Sequence, residues 1–143
     1  DSFDYDTLVK TLLSPLSNLG DEKLDLPTAT YDFRTQREVP DSHASFDAGT
    51  ILLFDGVMLF REEINRYWDY RIYVDARYQT GFIRGVPRDS KSEEDQMVVG
   101  QKYLNRYFPG QRYYQATAKP LDQADVILFN DDPAACVVKY QKR

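Results

Sequence analysis

The sequence is poor in the residues that staple or ligate. Its one cysteine, Cys136, excludes an internal disulfide, and with the one histidine, His43, it cannot build a structural zinc site. The apolar run Ile51-Leu-Leu-Phe54, like every other in the chain, is far too short to span a bilayer. The opening residues carry no charged-then-apolar signal pattern, so a reduced, cytoplasmic setting is expected. Positive charge is also in deficit. Eighteen basic against 23 acidic side chains give −5, which excludes a role in coating nucleic acid or an anionic membrane but leaves room for a local basic pocket. What is present suffices for folding: 42% apolar residues across 143 positions can offset the entropy of ordering one compact domain.

The apolar pattern alternates between helical and strand periods. Leu8, Leu12, Leu13 and Leu16 recur at helical spacing behind Asp4 and Asp6, with Pro15 expected to kink or end the helix. Residues 21–49, punctuated by Pro27, Pro40 and Gly49, read as an irregular arm built on a β-hairpin. Thr50 to Gly56 reads as a strand buried on both faces, because four consecutive apolar residues lie between glycines. A short helix over 61–67, a strand over 70–75 ending in Asp75, helices over 76–88, 93–108 and 111–118, and a strand over 124–129 follow. Strands alternating with helices predict an α/β fold with a parallel sheet flanked by helices.

Ligands collect at the carboxyl ends of strands in such sheets. Asp55, Asp75 and Asn130 each fall at or just past one of these ends. Any one of them alone reads equally well as a strand terminator or helix cap. Together they point to a shared active edge.

Several short motifs occur in an order that resembles one family. They are Ser2-Phe-Asp-Tyr-Asp-Thr-Leu8, Ala29-Thr-Tyr-Asp-Phe33, Leu53-Phe-Asp-Gly-Val57, Arg84-Gly-Val-Pro-Arg-Asp89 and Ala124-Asp-Val-Ile-Leu128. Arg106-Tyr-Phe-Pro-Gly-Gln-Arg-Tyr113 and Asn130-Asp-Asp-Pro133 follow the same pattern. Over almost the whole chain the order is similar to the uridine kinase-like branch of the P-loop kinases, especially its bacterial members. The resemblance implies a P-loop NTPase-like fold and ATP- and Mg²⁺-dependent transfer of a phosphoryl group to a small-molecule hydroxyl, with a nucleoside as first choice.

The roles it implies fall on particular residues. Asp55 has the place of a Walker-B carboxylate and would hold Mg²⁺, directly or through water. Arg84 and Arg88 fall on the helix leading to a lid at 84–95 and would steady the transferring phosphoryl oxygens; alone, the pair reads equally well as two helix-surface arginines. Tyr31 and Phe33 would pack against the acceptor base, or else against the hairpin's own core. Gln36 stands where the family has a pyrimidine-reading histidine, which opens the acceptor to pantothenate, a sugar phosphate or another hydroxyl compound. Asn130 and Asp132 lie in the loop that borders adenine in the family. Gly85 replaces a second adjacent arginine, and the stretch 89–95 is acidic where the family lid carries arginines.

No Gly-x-x-x-x-Gly-Lys-Ser/Thr motif occurs in these 143 residues, although the family's phosphate cradle depends on one. The sequence opens at Asp1 without methionine, and it is expected to be the C-terminal part of a kinase; the rival reading is a non-catalytic binding or oligomerisation module. A parallel sheet without its first strand would expose an open edge, so the 143 residues alone are expected to self-associate or to be marginally stable. Sedimentation and thermal melting check this: a monodisperse monomer with a high melting temperature would count against it.

Overall fold

The computed structural model describes residues 4–32, 35 and 37–141, without the side chains of Thr30, Pro40 and Asp41. The chain divides into two compact units, Asp1–Leu59 with Glu63–Tyr67, and Phe60–Glu62 with Trp68–Arg143.

The first unit opens with a continuous helical segment. Asp4 caps it, its carboxylate accepting the Thr7 amide at 3.0 Å and the Thr7 hydroxyl at 2.7 Å. Helix α1 (Tyr5–Leu8) runs into a π-helical turn (Val9–Leu13) and then α2 (Ser14–Ser17). The same sequence of events recurs in the second unit. Helix α5 (Glu93–Lys102) passes through a π-turn (Tyr103–Tyr107) into α6 (Phe108–Ala118). In both places the wide turn closes immediately before a proline, Pro15 or Pro109, with the Ser14 amide on the Val9 carbonyl and the Phe108 amide on the Tyr103 carbonyl. Proline lacks a donor and its ring crowds the carbonyl one turn back, so widening that turn lets the helix continue. Pro15 therefore alters the helix without ending it; the helix closes three residues later, at Asn18.

The arm expected over 21–49 is a hairpin. Strand β1 (Leu24–Asp32) pairs antiparallel with β2 (Arg37–Phe46), from Leu24 opposite Phe46 to Asp32 opposite Arg37. The register shifts between Pro27 and Ala29 and again between Ala29 and Tyr31, the first shift following directly on Pro27, which has no amide to give the ladder. Leu26 of β1 is buried in this unit, as are Tyr5, Leu12, Leu13 and Ile64 of the short helix α3 (Glu62–Asn65).

Residues 51–56 correct the sequence reading. They form no strand, and Ile51 and Leu53 are 91% and 89% exposed. A strand buried on both faces needs a ladder partner as well as an apolar composition. Among the described residues no strand lies alongside this run.

The second unit holds a three-stranded sheet in the order β3 (Ile72–Asp75), β4 (Val126–Phe129), β5 (Val137–Tyr140). β3 and β4 are parallel, as expected, but β4 and β5 are antiparallel and no expectation covered β5. Where a parallel sheet was expected, the sheet is mixed, with one parallel pair among the described residues. An aspartate brackets that pair at each end. The Arg71 amide donates to the Asp125 carboxylate at 2.8 Å, and the Arg77 amide donates to Asp131 at 2.9 Å. Both pairs are separated by 54 residues, the same offset as Ile72 opposite Val126.

Between β3 and β4 run α4 (Tyr78–Asp89), the α5–α6 helix and α7 (Pro120–Gln123). Val86, Val99, Tyr103 and Phe108 form their core, with Tyr78 and Phe82 packed against it. The close approach of α4 depends on Gly85. A Cβ there would lie 2.5 Å from Tyr103 Cζ and 2.8 Å from Cε1. Elsewhere in α4, a Cβ at Gly81 would meet nothing within 4 Å. Gly85→Ala is expected to destabilise the unit by about 1–3 kcal/mol through overpacking. Gly81→Ala is expected to stabilise it by about 0.5–1 kcal/mol through helix propensity alone. Denaturant unfolding of the two variants checks the pair, and equal effects would contradict the close approach at Gly85.

Candidate functional site

The carboxyl ends of β3 and β4 lie side by side. Asp75 closes β3, and its carbonyl accepts the Asn130 amide at 2.7 Å, so two of the three residues placed on the active edge are neighbours. The chain then bends at 131–132 and enters a 3₁₀ turn, Pro133–Ala135.

This loop is tied to the start of α4. The Asp131 carboxylate accepts the Arg77 amide at 2.9 Å and the Thr80 hydroxyl at 2.7 Å, and pairs with Arg77 Nε at 2.7 Å. Arg77 makes no side-chain cap on α4, and the distant aspartate sets a negative charge beside the helix N-terminus instead. The Thr80 hydroxyl and the Arg77 amide hold the Asp131 carboxyl below its ordinary pKa. One turn further on, Arg84 donates through Nη1 to the Asn130 carbonyl at 2.7 Å and through Nη2 to the Asp131 carbonyl. Asp132 turns inward on its own loop, its carboxylate accepting the Ala134 amide at 3.0 Å and its carbonyl the Ala135 amide at 3.1 Å.

The resemblance implies that Arg84 meets a phosphoryl group; here its guanidinium donates to two loop carbonyls. Arg88 is placed differently. It faces Asp89 with Nε on Oδ1 at 2.8 Å and Nη2 on Oδ2 at 3.3 Å, and it remains 74% exposed. Tyr103 donates its hydroxyl to the same Asp89 carboxylate at 2.7 Å. The Arg88 contact lowers the Asp89 pKa, and Asp89 in turn raises that of Arg88. Burial first, then donation to Asp89, pushes the Tyr103 hydroxyl up to about 12. The departures from the family pattern at Gly85 and over 89–95 acquire local causes. Tyr103 occupies the space above Gly85. Ser92 caps α5 by accepting the Asp95 amide at 3.3 Å, Asp95 accepts the Lys91 amide at 3.1 Å, and three carboxylates fill the first turn.

Asp55 and Tyr31 belong to the first unit, and both are exposed, Tyr31 by 57%. Phe33 and Gln36 lie outside the described residues. No group of three or more histidine, cysteine, aspartate or glutamate side chains is gathered for a metal among the described residues. A single exposed carboxylate such as Asp55 fits Mg²⁺, which keeps most of its waters and takes further oxygens from phosphates. The triphosphate of ATP is another matter, since the 143 residues contain no glycine-rich phosphate cradle.

No family model matches the chain. Against curated proteins it is 31% identical over 131 residues to the uridine kinase of Lactobacillus helveticus (strain DPC 4571), a match covering 90% of this chain and 58% of that protein. Among solved structures it is similar to one described as a possible uridine kinase from Bacillus stearothermophilus, with a TM-score of 0.53, 25% identity, and coverage of 87% of this chain and 54% of that one. The chain is thus similar to uridine kinases over most of its own length. It spans little more than half the length of either relative.

The residues that sequence reasoning missed are Arg77, Thr80 and Asp131. Asp131 sits between two residues that were singled out, Asn130 and Asp132, and nothing in the local pattern distinguishes the three. The signal that could have found it is the offset between the two strands, which sets Asp131 opposite Arg77 just as Asp125 is set opposite Arg71. No described helix is long and apolar enough to cross a membrane.

Tyr103 yields a prediction at high pH. Its folded pKa lies above the ordinary 10.0, so its contribution is fully present below pH 10 and is lost as pH rises through about 12. Denaturant unfolding across that window is expected to show a steeper loss of stability in the wild type than in Tyr103→Phe. Identical slopes would contradict the raised value.

Proposed function

We propose that this chain is part of an ATP- and Mg²⁺-dependent kinase that transfers a phosphoryl group to a small-molecule hydroxyl, with a nucleoside such as uridine or cytidine as acceptor. The observation that carries this reading is the match over 90% of the chain to a curated uridine kinase. The wider fold is then P-loop NTPase-like, with the parallel pair β3–β4 belonging to a larger sheet flanked by helices. In this reading Asp55 holds Mg²⁺ through its water shell, and Arg88, exposed and anchored on Asp89, meets the transferring phosphoryl oxygens. Tyr31, with Phe33 and Gln36, lines the acceptor side. The loop containing Asn130 and Asp132 borders the adenine, with its backbone groups doing the reading. Self-association and a cytoplasmic setting belong to the same proposal.

A second reading has its own observation. The 143 residues lack a phosphate cradle, which favours a binding module that keeps the acceptor pocket and transfers nothing. Titration with ATP separates the two, because a kinase binds it in a Mg²⁺-dependent manner and a pocket-only module does not.

The decisive assay is transfer from ATP to a panel of nucleosides, pantothenate and sugar phosphates, using the longest protein that the coding region encodes. Asp55→Asn is expected to lower turnover by roughly 10–100-fold, the usual cost of disturbing an outer-shell metal partner. Unchanged turnover at saturating Mg²⁺ would remove Asp55 from the metal site.

A further inference from the structure

Of the two arginines on α4, Arg84 is the one that reaches the loop after β4. Its guanidinium meets the carbonyls of consecutive residues, Asn130 and Asp131. Successive carbonyls point to opposite sides of an extended chain, so drawing both onto one planar fork requires the bend seen at 131–132. The other ties converge on the same short stretch. The Asn130 amide is held by the Asp75 carbonyl, and the Asp131 carboxylate is held by the Arg77 amide, the Arg77 guanidinium and the Thr80 hydroxyl. The backbone on either side of the bend is thereby fixed before any ligand arrives.

We infer that Arg84 is a positioning residue, one that braces the loop after β4 through its two carbonyls and so presets the backbone surface offered to a nucleotide, without itself contacting the transferring phosphoryl group. The functional half of this inference rests on the kinase reading above; the bracing itself does not. A lysine cannot replace the arginine fully, because an ammonium is a point charge without the two-pronged fork. A methionine keeps the bulk of the stem and removes every donor.

Amide hydrogen exchange tests the brace without any appeal to activity. In Arg84→Met, the amides of Asn130, Ala134 and Ala135 are expected to exchange about tenfold faster or more, the factor that loss of a charge-assisted hydrogen bond provides. Amides inside β4 and α5 should keep their wild-type rates, and Arg84→Lys should fall between the two. Unchanged exchange at the three loop amides would overturn the inference. Should Arg84→Met fail to fold, Arg84→Lys keeps the charge and loses the two-pronged fork, and it is expected to loosen the same amides to a smaller degree; no loosening there would overturn the inference equally.

Kinetics on the longest encoded protein supply the functional arm. Bracing predicts a raised KM for ATP with kcat changed little, and partial recovery in Arg84→Lys. A fall in kcat of about a hundredfold or more with KM for ATP unchanged, the signature of lost transition-state contact, would overturn the inference. If the wild type transfers no phosphoryl group at all, the kinase reading fails, and the exchange rates still decide whether Arg84 braces the loop.

Discussion

Two aspartates set in register hold the parallel pair of strands on which the second unit is built. Parallel strands cannot be joined by a tight turn, and here some fifty residues, most of them helical, separate β3 from β4. Asp125 receives the Arg71 amide where the pair begins, and Asp131 receives the Arg77 amide where it ends. Each carboxylate satisfies a backbone donor that the ladder itself leaves over. The second does more, because the donor it satisfies opens α4. Strand end, loop and helix start thus share one charged group, and the direction in which α4 departs from the sheet is fixed by the same contact that fixes the loop.

The local features of this architecture were legible in the sequence. The strands at 72–75 and 126–129, the hairpin and the helices between residues 76 and 118 follow from apolar spacing and turn residues. What was not legible is pairing. Ile51-Leu-Leu-Phe54 has the composition of a central strand, but composition does not supply the neighbour that a ladder needs, and the run stands exposed. Val137–Tyr140 has a weaker apolar pattern and yet pairs, because β4 offers it an edge. The same contrast holds at the candidate site. Arg84 was legible as an important arginine, whereas its partners are carbonyls, which every residue possesses and no sequence pattern marks.

The two π-turns show how a local conflict is absorbed without a break. Both helices meet a proline in mid-course, and both widen in the turn just before it. In the second unit that widened turn begins at Tyr103, the residue whose ring lies over Gly85 and whose hydroxyl reaches Asp89. The proline at 109, the shape of the turn ahead of it and the closeness of α4 are therefore connected through one tyrosine.

That connection bears on how the sequence can change over time. Residue 85 and residue 103 share one volume, so a larger side chain at the first is admissible only after the ring at the second has shrunk or moved. An arginine beside Arg84 would be a two-step substitution in this background. The intermediate state is the costly one. Lineages that have taken the step and lineages that have not should differ at both positions together.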